Sequence, residues 1–150
     1  MSELRVGDAM PPSTLVGGDG PVELRTKIGK PLIVYFYPKD ETYGCTIEAC
    51  GFRDSYEDFT AAGAEVIGVS RDDAASHEAF KANHRLPFVL LSDPGGRVAK
   101  AWGLTSTLGI PPRVTFVFDK EGVVRLRFDS KIRFGKHVED ALEVVKKLPR

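Results

Sequence analysis

The sequence predicts an α/β fold with a central mixed β-sheet flanked by helices. Short apolar runs alternate along the chain with segments of helical periodicity, which is typical of βαβ units. A turn sequence joins two later apolar runs and adds an antiparallel pair to the parallel strands. The 150 residues are 42% hydrophobic and 28% charged, as in folded proteins of one domain. We therefore expect a single domain over residues 1–150.

The first predicted elements are a hairpin, a buried strand and a helix. The sequence Gly-Asp-Gly at 18–20 predicts a turn within a small N-terminal β-hairpin. The run LIVYFY at 32–37 is apolar or aromatic throughout, so it predicts a strand buried on both faces. Between 45 and 59, apolar residues recur at every third or fourth position, which is the period of a helix. A strand thus leads, through a short loop, into a helix.

The same pattern of strand and helix then repeats. The run AEVIGV at 64–69 predicts the next buried strand, and Asp72 or Asp73 can cap a helix over 74–83. The remaining chain predicts a short strand, a short helix, two strands joined by a hairpin turn, and a closing amphipathic helix. These elements lie at 88–91, 96–102, 114–118, 123–128 and 136–148. Their order favours a thioredoxin-like topology.

The charge balance and the apolar pattern exclude several functions. Lys and Arg together number 21, as do Asp and Glu, so no net positive field is available to attract nucleic acids or anionic membranes. No stretch has the apolar length of a membrane span, and the charged start does not match a signal peptide. We therefore expect a cytoplasmic protein with no nucleic-acid or membrane partner, whose thiols are reduced at rest.

Both cysteines of the chain lie on the predicted helix that follows the strand LIVYFY. Cys45 is at the helix start, where unpaired N–H groups and the helix dipole favour a thiolate over a thiol. In an intact helix, Cys50 is about 7.5 Å further along the axis and roughly 140° around it. A disulfide requires Cα atoms within about 7 Å, so the pair can bond only if the helix start unwinds. This geometry favours a catalytic role for Cys45, whereas Cys50 alone is also compatible with burial as a small hydrophobic residue.

Other chemistries fit the two cysteines less well. A zinc site usually needs four ligands, often in CxxC pairs, and the chain has neither a CxxC motif nor a third cysteine. A Cys–His hydrolase needs a histidine that reaches the nucleophilic sulfur. We expect His77, His84 and His137 on solvated helix faces or at helix starts, away from Cys45.

Pro38, Thr42 and Cys45 stand at the spacing P-x-x-x-[TS]-x-x-C, which resembles the pattern of the peroxiredoxins. The stretch YFYPKDETYGCTIEACGFRD is similar to their PrxQ or bacterioferritin-comigratory-protein subfamily, and the similarity continues through GVSRDD, LPFVLLSD and PPRVTFVFDKEG. One position differs. Tyr43 stands where this subfamily often has proline, so we expect altered loop stiffness or altered peroxide access.

The resemblance implies a role for five residues. Cys45 is implied as the peroxidatic nucleophile that attacks the O–O bond and becomes a sulfenic acid, and Cys50 as the resolving cysteine that forms a disulfide with it. Thr42 would orient the peroxide through its hydroxyl. Arg113, an always-charged and planar donor, would stabilise the thiolate and hold the peroxide. Pro38 would shield the sulfur from water.

The implied function is a thiol-dependent peroxidase that reduces hydrogen peroxide and organic hydroperoxides. Thioredoxin or a similar dithiol would recycle it without a bound cofactor or metal, and the resemblance favours a monomer while leaving a dimer open. Two alternatives remain, a general thiol–disulfide oxidoreductase and a non-enzymatic thioredoxin-like domain that uses its thiols for binding, for example of a metal. We expect the segment 108–112 and Tyr43 to set the preferred peroxide, and Glu48 to bond Arg53 or the helix start in a structural role.

Overall fold

One mixed β-sheet forms the centre of the fold. The structure, a computed structural model, describes residues 3–106 and 110–149, and seven strands lie within those residues. They are β1 (Thr14–Gly17), β2 (Gly20–Glu23), β3 (Leu32–Phe36), β4 (Glu65–Ser70), β5 (Val89–Ser92), β6 (Val114–Phe118) and β7 (Val124–Asp129). Their order across the sheet is β2-β1-β5-β4-β3-β6-β7. The strand β3 is therefore an interior strand, with β4 on one side and β6 on the other.

The described residues also contain five α-helices and two short 3-10 turns. The helices are α1 (Tyr43–Asp54), α2 (Tyr56–Ala61), α3 (Ala74–His84), α4 (Arg97–Ala101) and α5 (Phe134–Lys147), and the 3-10 turns cover Leu24–Lys27 and Pro94–Gly96. No helix in this part of the chain is both long enough and apolar enough to cross a bilayer.

The strand pairings confirm the predicted mixed sheet with an N-terminal hairpin. β3 pairs parallel with β4, and β4 pairs parallel with β5. Parallel neighbours need crossover connections, and α1 with α2 and then α3 supply them. The hairpins β1–β2 and β6–β7 are antiparallel, and β6 also pairs antiparallel with β3. The last pairing places the start of β6 beside the end of β3.

The sheet separates two hydrophobic cores. Successive side chains of a strand point to opposite faces, and all five residues of β3 are buried. Val34 and Phe36 pack on one face with Trp102. Ile33 and Tyr35 pack on the other face with Cys45 and with residues of α1, α2, α3 and α5. Both faces of β3 are thus covered, which explains its uninterrupted apolar sequence.

Three details differ from or refine the predicted elements. The single helix expected over 45–59 is two helices, because Ser55 leaves helical geometry (φ −99°, ψ 7°) and serves as both the end of α1 and the start of α2. Asp73, and not Asp72, caps α3 by accepting a hydrogen bond from the Ser76 N–H (2.8 Å). The last helix begins at Phe134, two residues before the predicted start at 136.

Candidate active site

Cys45 lies in the first turn of α1, as the sequence predicts. The strand β3 ends at Phe36, and the loop over residues 38–42 leads to Thr42, which is the N-cap residue of the helix. The first helical hydrogen bond runs from the Thr46 N–H to the Thr42 carbonyl (2.8 Å). The Cys45 side chain is only 1% exposed. The sulfur is therefore held at the positive end of the helix dipole in a nearly dry environment.

Arg113 is the cationic partner of Cys45. The pairing of β6 with β3 sets Phe36 opposite Val114, so the residue just before Val114 lies beside the loop that carries Cys45. The Arg113 Nη2 donates to the Cys45 Sγ at 3.2 Å, and the guanidinium is 6% exposed. The structure thus brings together the two residues that the sequence resemblance linked. A charged donor at this distance stabilises a thiolate.

Phe134, the first residue of α5, covers the guanidinium. Its ring centroid lies 4.8 Å from the Arg113 Cζ, in a cation–π arrangement. The ring also passes so close to Gly44 that a Cβ there would lie 2.4 Å from two ring carbons and 3.1 Å from the Arg113 Nη2. Residue 44 is therefore glycine because the ring and the guanidinium occupy the space of a side chain.

Glu48 belongs to this site, although the sequence predicted a bond to Arg53 or to the helix start. It is completely buried, and its Oε1 accepts from the Arg113 Nη1 at 2.8 Å. Arg53 instead contacts Asp54 and the backbone carbonyl of His84. Burial raises the pKa of Glu48 to about 8, although Arg113 acts in the opposite direction. The spacing of three residues from Cys45, one helical turn, was the signal for this proximity.

His137 of α5 is completely buried and lies next to Glu48. Its Nε2 donates to the Ser130 carbonyl (2.8 Å), and the Thr115 hydroxyl lies 2.8 Å from its Nδ1, to which it donates when the ring is neutral. Burial lowers the pKa of His137 and favours that neutral form. The Glu48 Oε2 has no hydrogen-bond partner within the described residues and lies 3.4 Å from the His137 Nδ1. Because the Nδ1 lone pair of the neutral ring already accepts from Thr115, the ring offers Glu48 no further acceptor.

Thr42 and Pro38 lie in the loop between β3 and α1. Thr42 is exposed, and its hydroxyl donates to the Lys39 carbonyl (2.8 Å) instead of capping the helix. Pro38 is half-buried and follows the buried Tyr37. Tyr43, which stands where the resembled subfamily often has proline, is the first residue of α1 and is 81% exposed. The roles predicted for Thr42 and Pro38 towards a peroxide stay predictions.

Cys50 lies on the same helix as Cys45, half-buried, and both thiols are free. The intact α1 holds the two cysteines about 7.5 Å apart along its axis and on different faces. A bond between them requires the N-terminal part of α1 to unwind, as the sequence spacing indicated.

Known proteins resemble this chain over most of its length. The AhpC/TSA family matches residues 6–127. The chloroplastic peroxiredoxin Q of Sedum lineare is 50% identical over 145 residues, which cover 95% of this chain and 78% of the relative. This chain belongs to the AhpC/TSA family.

Solved structures of this family agree with the fold. Peroxidoxin BcpB from Mycobacterium tuberculosis is 31% identical with a TM-score of 0.90, covering 99% of this chain and 100% of that chain. The bacterioferritin comigratory protein of Xanthomonas campestris, whose structures concern alkyl peroxide reduction, is 30% identical with a TM-score of 0.82, covering 93% and 98%. The thioredoxin-like fold and the resemblance to PrxQ are confirmed, and membership makes the protein a thiol peroxidase.

The peroxiredoxin fold also corrects the prediction for two histidines. His77 is 4% exposed and His137 is completely buried, so neither is on a solvated face. Both lie on helix faces that turn towards the sheet, where polar partners from distant parts of the chain compensate their burial. His84 is partly exposed and pairs with Glu41. Residues 108 and 109 of the segment predicted to shape the peroxide pocket lie outside the described residues, whereas Pro111 and Pro112 approach Phe36 and Tyr37 around a small pocket.

Proposed function

We propose that Cys45 is the peroxidatic cysteine of this thiol peroxidase, with Cys50 as its resolving partner. The supporting observation is the Cys45 sulfur, buried in the first turn of α1 and 3.2 Å from the Arg113 guanidinium. A thiol that attacks peroxide must be ionised and must remain free to react. A helix N-terminus and one cation favour the thiolate through non-covalent interactions, so the sulfur remains a nucleophile.

The first step transfers one oxygen to the sulfur. The Cys45 thiolate attacks one oxygen of R–O–O–H, an S–OH bond forms, the O–O bond breaks, and RO⁻ leaves and takes a proton from solvent. Negative charge moves from sulfur to the leaving oxygen during this step. The Arg113 N–H groups that do not bond Cys45 or Glu48, together with the N–H groups at the start of α1, can stabilise that charge. Thr42 would orient the peroxide, and Pro38 would limit the access of water.

The second step forms the disulfide. The Cys50 thiol attacks the Cys45 sulfenic acid, the S–O bond breaks, and water leaves. Because the two residues are on different faces of α1, this step requires the helix to open at its N-terminal end. The opened segment then exposes the disulfide to an external dithiol, which reduces it by exchange.

The substrates and partners follow from the relatives. Peroxides are the substrates and a thioredoxin-like protein is the reductant. We propose hydrogen peroxide and organic hydroperoxides together, because the Xanthomonas campestris relative is described for alkyl peroxide reduction. Thioredoxin itself as reductant, a monomer in solution, one domain over residues 1–150 and a cytoplasmic location remain predictions.

Two variants test the assignment of the cysteines. Cys45→Ser removes the nucleophile, so it should abolish peroxide consumption, whereas Cys50→Ser should form the sulfenic acid once and stop recycling by thioredoxin. Mass spectrometry after one equivalent of peroxide, with and without a sulfenic-acid trap, shows which sulfur is oxidised. Substantial turnover by Cys45→Ser would disprove the assignment.

The two alternative functions have different expected outcomes. A general thiol–disulfide oxidoreductase must admit a protein disulfide to its thiol, and the 1% exposure of Cys45 opposes this. Such an enzyme would reduce insulin at least as readily as peroxide. A metal-binding domain would take up zinc with both thiols reduced, and in the described part of the chain no group of three or more His, Cys, Asp and Glu side chains could hold an ion.

A further inference from the structure

The loop of residues 38–42, here called the catalytic loop, is attached to helix α3 at two points. Asp40 of the loop contacts His77, with the Asp40 Oδ2 2.7 Å from the His77 Nδ1. Glu41 contacts His84, with the Glu41 Oε1 2.7 Å from the His84 Nε2. The two histidines are separated by two helical turns on α3, so one face of this helix holds two successive residues of the loop.

The His77 ring has acceptors on both sides. Its Nδ1 faces the Asp40 carboxylate, and its Nε2 lies 3.1 Å from the Leu91 carbonyl of β5. A carbonyl oxygen can only accept, so the Nε2 must carry a proton. An ionised carboxylate can only accept as well, so the Nδ1 must also carry one. The geometry therefore describes a buried imidazolium that joins the catalytic loop to the sheet.

Asp40 is the matching anion. Its Oδ1 accepts from the Tyr37 hydroxyl (2.5 Å), and its Oδ2 accepts from the Ser76 hydroxyl (2.8 Å) and from His77. Burial by itself would raise the pKa of Asp40, but the hydrogen bonds from His77, Tyr37 and Ser76 outweigh it and hold this pKa below its ordinary value. An ionised Asp40 is thus satisfied by donors, and only His77 among them brings a positive charge.

Glu41 shows that the loop conformation needs to be held. Its φ of 62° is in the left-handed region, which a residue with a side chain occupies at a cost in free energy. The Glu41 Oε2 accepts from the Asn83 Nδ2 (2.6 Å), and its Oε1 pairs with His84. The unfavourable backbone geometry directly before Thr42 is therefore compensated by contacts with α3.

We propose that His77 is a positioning residue of the peroxidase reaction, which fixes the catalytic loop through Asp40 and thereby holds Thr42 and Cys45 in the geometry that reacts with peroxide. This inference rests on the proposed function. Loosening the loop should affect the two chemical steps in opposite directions. Sulfenic-acid formation slows because fewer molecules have the reactive geometry, and disulfide formation accelerates because the start of α1 opens more easily.

Two isosteric variants separate the two contacts of His77. The amide nitrogen of His77→Asn takes the place of Nδ1 and keeps the donor to Asp40. The amide nitrogen of His77→Gln takes the place of Nε2 and keeps the donor to Leu91. We expect His77→Gln to slow sulfenic-acid formation by about tenfold or more in single turnover and to accelerate disulfide formation, and His77→Asn to retain most of the wild-type rates.

A second measurement follows the loop itself. Amide hydrogen exchange over residues 38–46 should become faster in His77→Gln than in His77→Asn. Leu15→Ala, in the core on the opposite face of the sheet, is the control for general loss of stability and should change neither the exchange of this segment nor the ratio of the two rates. Equal rates and equal exchange in the two His77 variants would overturn the inference.

The remaining outcomes are also decisive. If the wild-type protein does not react with peroxide, the proposed function fails, while the exchange difference still decides whether His77 holds the loop. If both variants fail to fold, nitrogen-15 NMR of the wild-type protein replaces them. Protons on both His77 nitrogens at neutral pH support the inference, and a neutral ring contradicts it.

Discussion

Arg113 joins the Cys45 sulfur to a buried carboxyl group. One of its terminal nitrogens donates to the sulfur and the other to Glu48, and both partners are buried. An ionised Glu48 would offset the positive charge of Arg113, which the proposed function uses to stabilise the Cys45 thiolate. Because burial raises the pKa of Glu48 to about 8, the neutral acid prevails near neutral pH and accepts the hydrogen bond without cancelling the charge. A neutral Glu48 thus holds the guanidinium in place and leaves its positive charge available to the Cys45 sulfur.

Replacement of Glu48 by glutamine tests this protonation state. The pKa of Glu48 rises from 4.5 to about 8 on folding, so between these values the folded chain retains a proton that the unfolded chain has released. The contribution of this proton to stability is complete below pH 4.5 and is lost as the pH rises through about 8. Urea unfolding across this range should therefore show a shallower decline in the free energy of unfolding for Glu48→Gln than for wild type. Parallel pH profiles would mean that Glu48 is ionised when folded.

The sequence led to the prediction of Cys45 and Arg113 as site residues but did not reveal the polar residues around them. Cys45 stands at a strand-to-helix junction, which local sequence reveals, whereas the role predicted for Arg113, directly before an apolar strand, came from the family resemblance. The Arg113 contact with Glu48 spans 65 residues, and the His77 contact with Asp40 spans 37. Periodicity assigned His77 and His137 to solvated faces because it cannot show that a distant residue satisfies a buried polar group.

Helices α1 and α5 form the site together. α1 supplies the sulfur and Glu48, and α5 supplies Phe134 and His137. They come close together at Gly44, where the Phe134 ring occupies the volume that a side chain would need. The packing of the first turn of α1 against the first turn of α5 therefore depends on a glycine at position 44. Helix α5 is part of the site because Phe134 contacts Arg113 and not because it contacts the sulfur.

Gly44→Ala and Gly135→Ala form a matched pair for this contact. A Cβ at Gly44 must displace the Phe134 ring and crowd Arg113, so we expect sulfenic-acid formation to slow by roughly tenfold together with a lower melting temperature. A Cβ at Gly135 meets nothing within 4 Å, so that variant should react like wild type and gain up to about 1 kcal/mol from helix propensity. Both effects are measured by stopped-flow kinetics and thermal unfolding. Similar rates in the two variants would show that the ring does not hold the guanidinium.

Most element boundaries were predictable because hydrophobic periodicity changes clearly between strands and helices. The break between α1 and α2 was not, since Ser55 is flanked by neither proline nor glycine, and Phe52 and Phe59 keep the helical spacing across it. Serine is common at helix ends because its side chain competes for backbone hydrogen bonds, but it is also frequent inside helices. Phe52 and Phe59 pack in the same core on either side of the bend, with 0% exposure each, so their spacing gave no sign of it.

The sheet divides the molecule into a core that contains the site and a core that does not. Cys45 and the aromatic rings of α1 lie on one face, and Trp102 lies on the other with 0% exposure. The Trp102 Nε1 donates to the Ser13 Oγ at 2.8 Å, which ties the end of α4 to the segment before β1. The second core should therefore contribute to stability and leave the chemistry of the sulfur unchanged.

Trp102→Phe tests this separation. The loss of buried volume and of the hydrogen bond should reduce the free energy of unfolding by about 1–3 kcal/mol, while the rate of sulfenic-acid formation stays at the wild-type value. Ser13→Ala keeps the indole but removes its acceptor, so it should cost about 1–2 kcal/mol. Urea denaturation gives the stabilities, and single-turnover kinetics gives the rate. A large loss of reactivity in folded Trp102→Phe would show that the two faces are coupled.

The contact between Arg113 and Cys45 has a consequence for the newly made chain. The arginine follows the cysteine by 68 residues, and the covering ring of Phe134 follows later still. During synthesis the thiol therefore leaves the ribosome well before the guanidinium that contacts it in the folded chain has been made. Under the proposed function, a nascent polypeptide carries this sulfur without its cationic partner, and we expect sensitivity to peroxide to arise only when the last hairpin and the terminal helix dock.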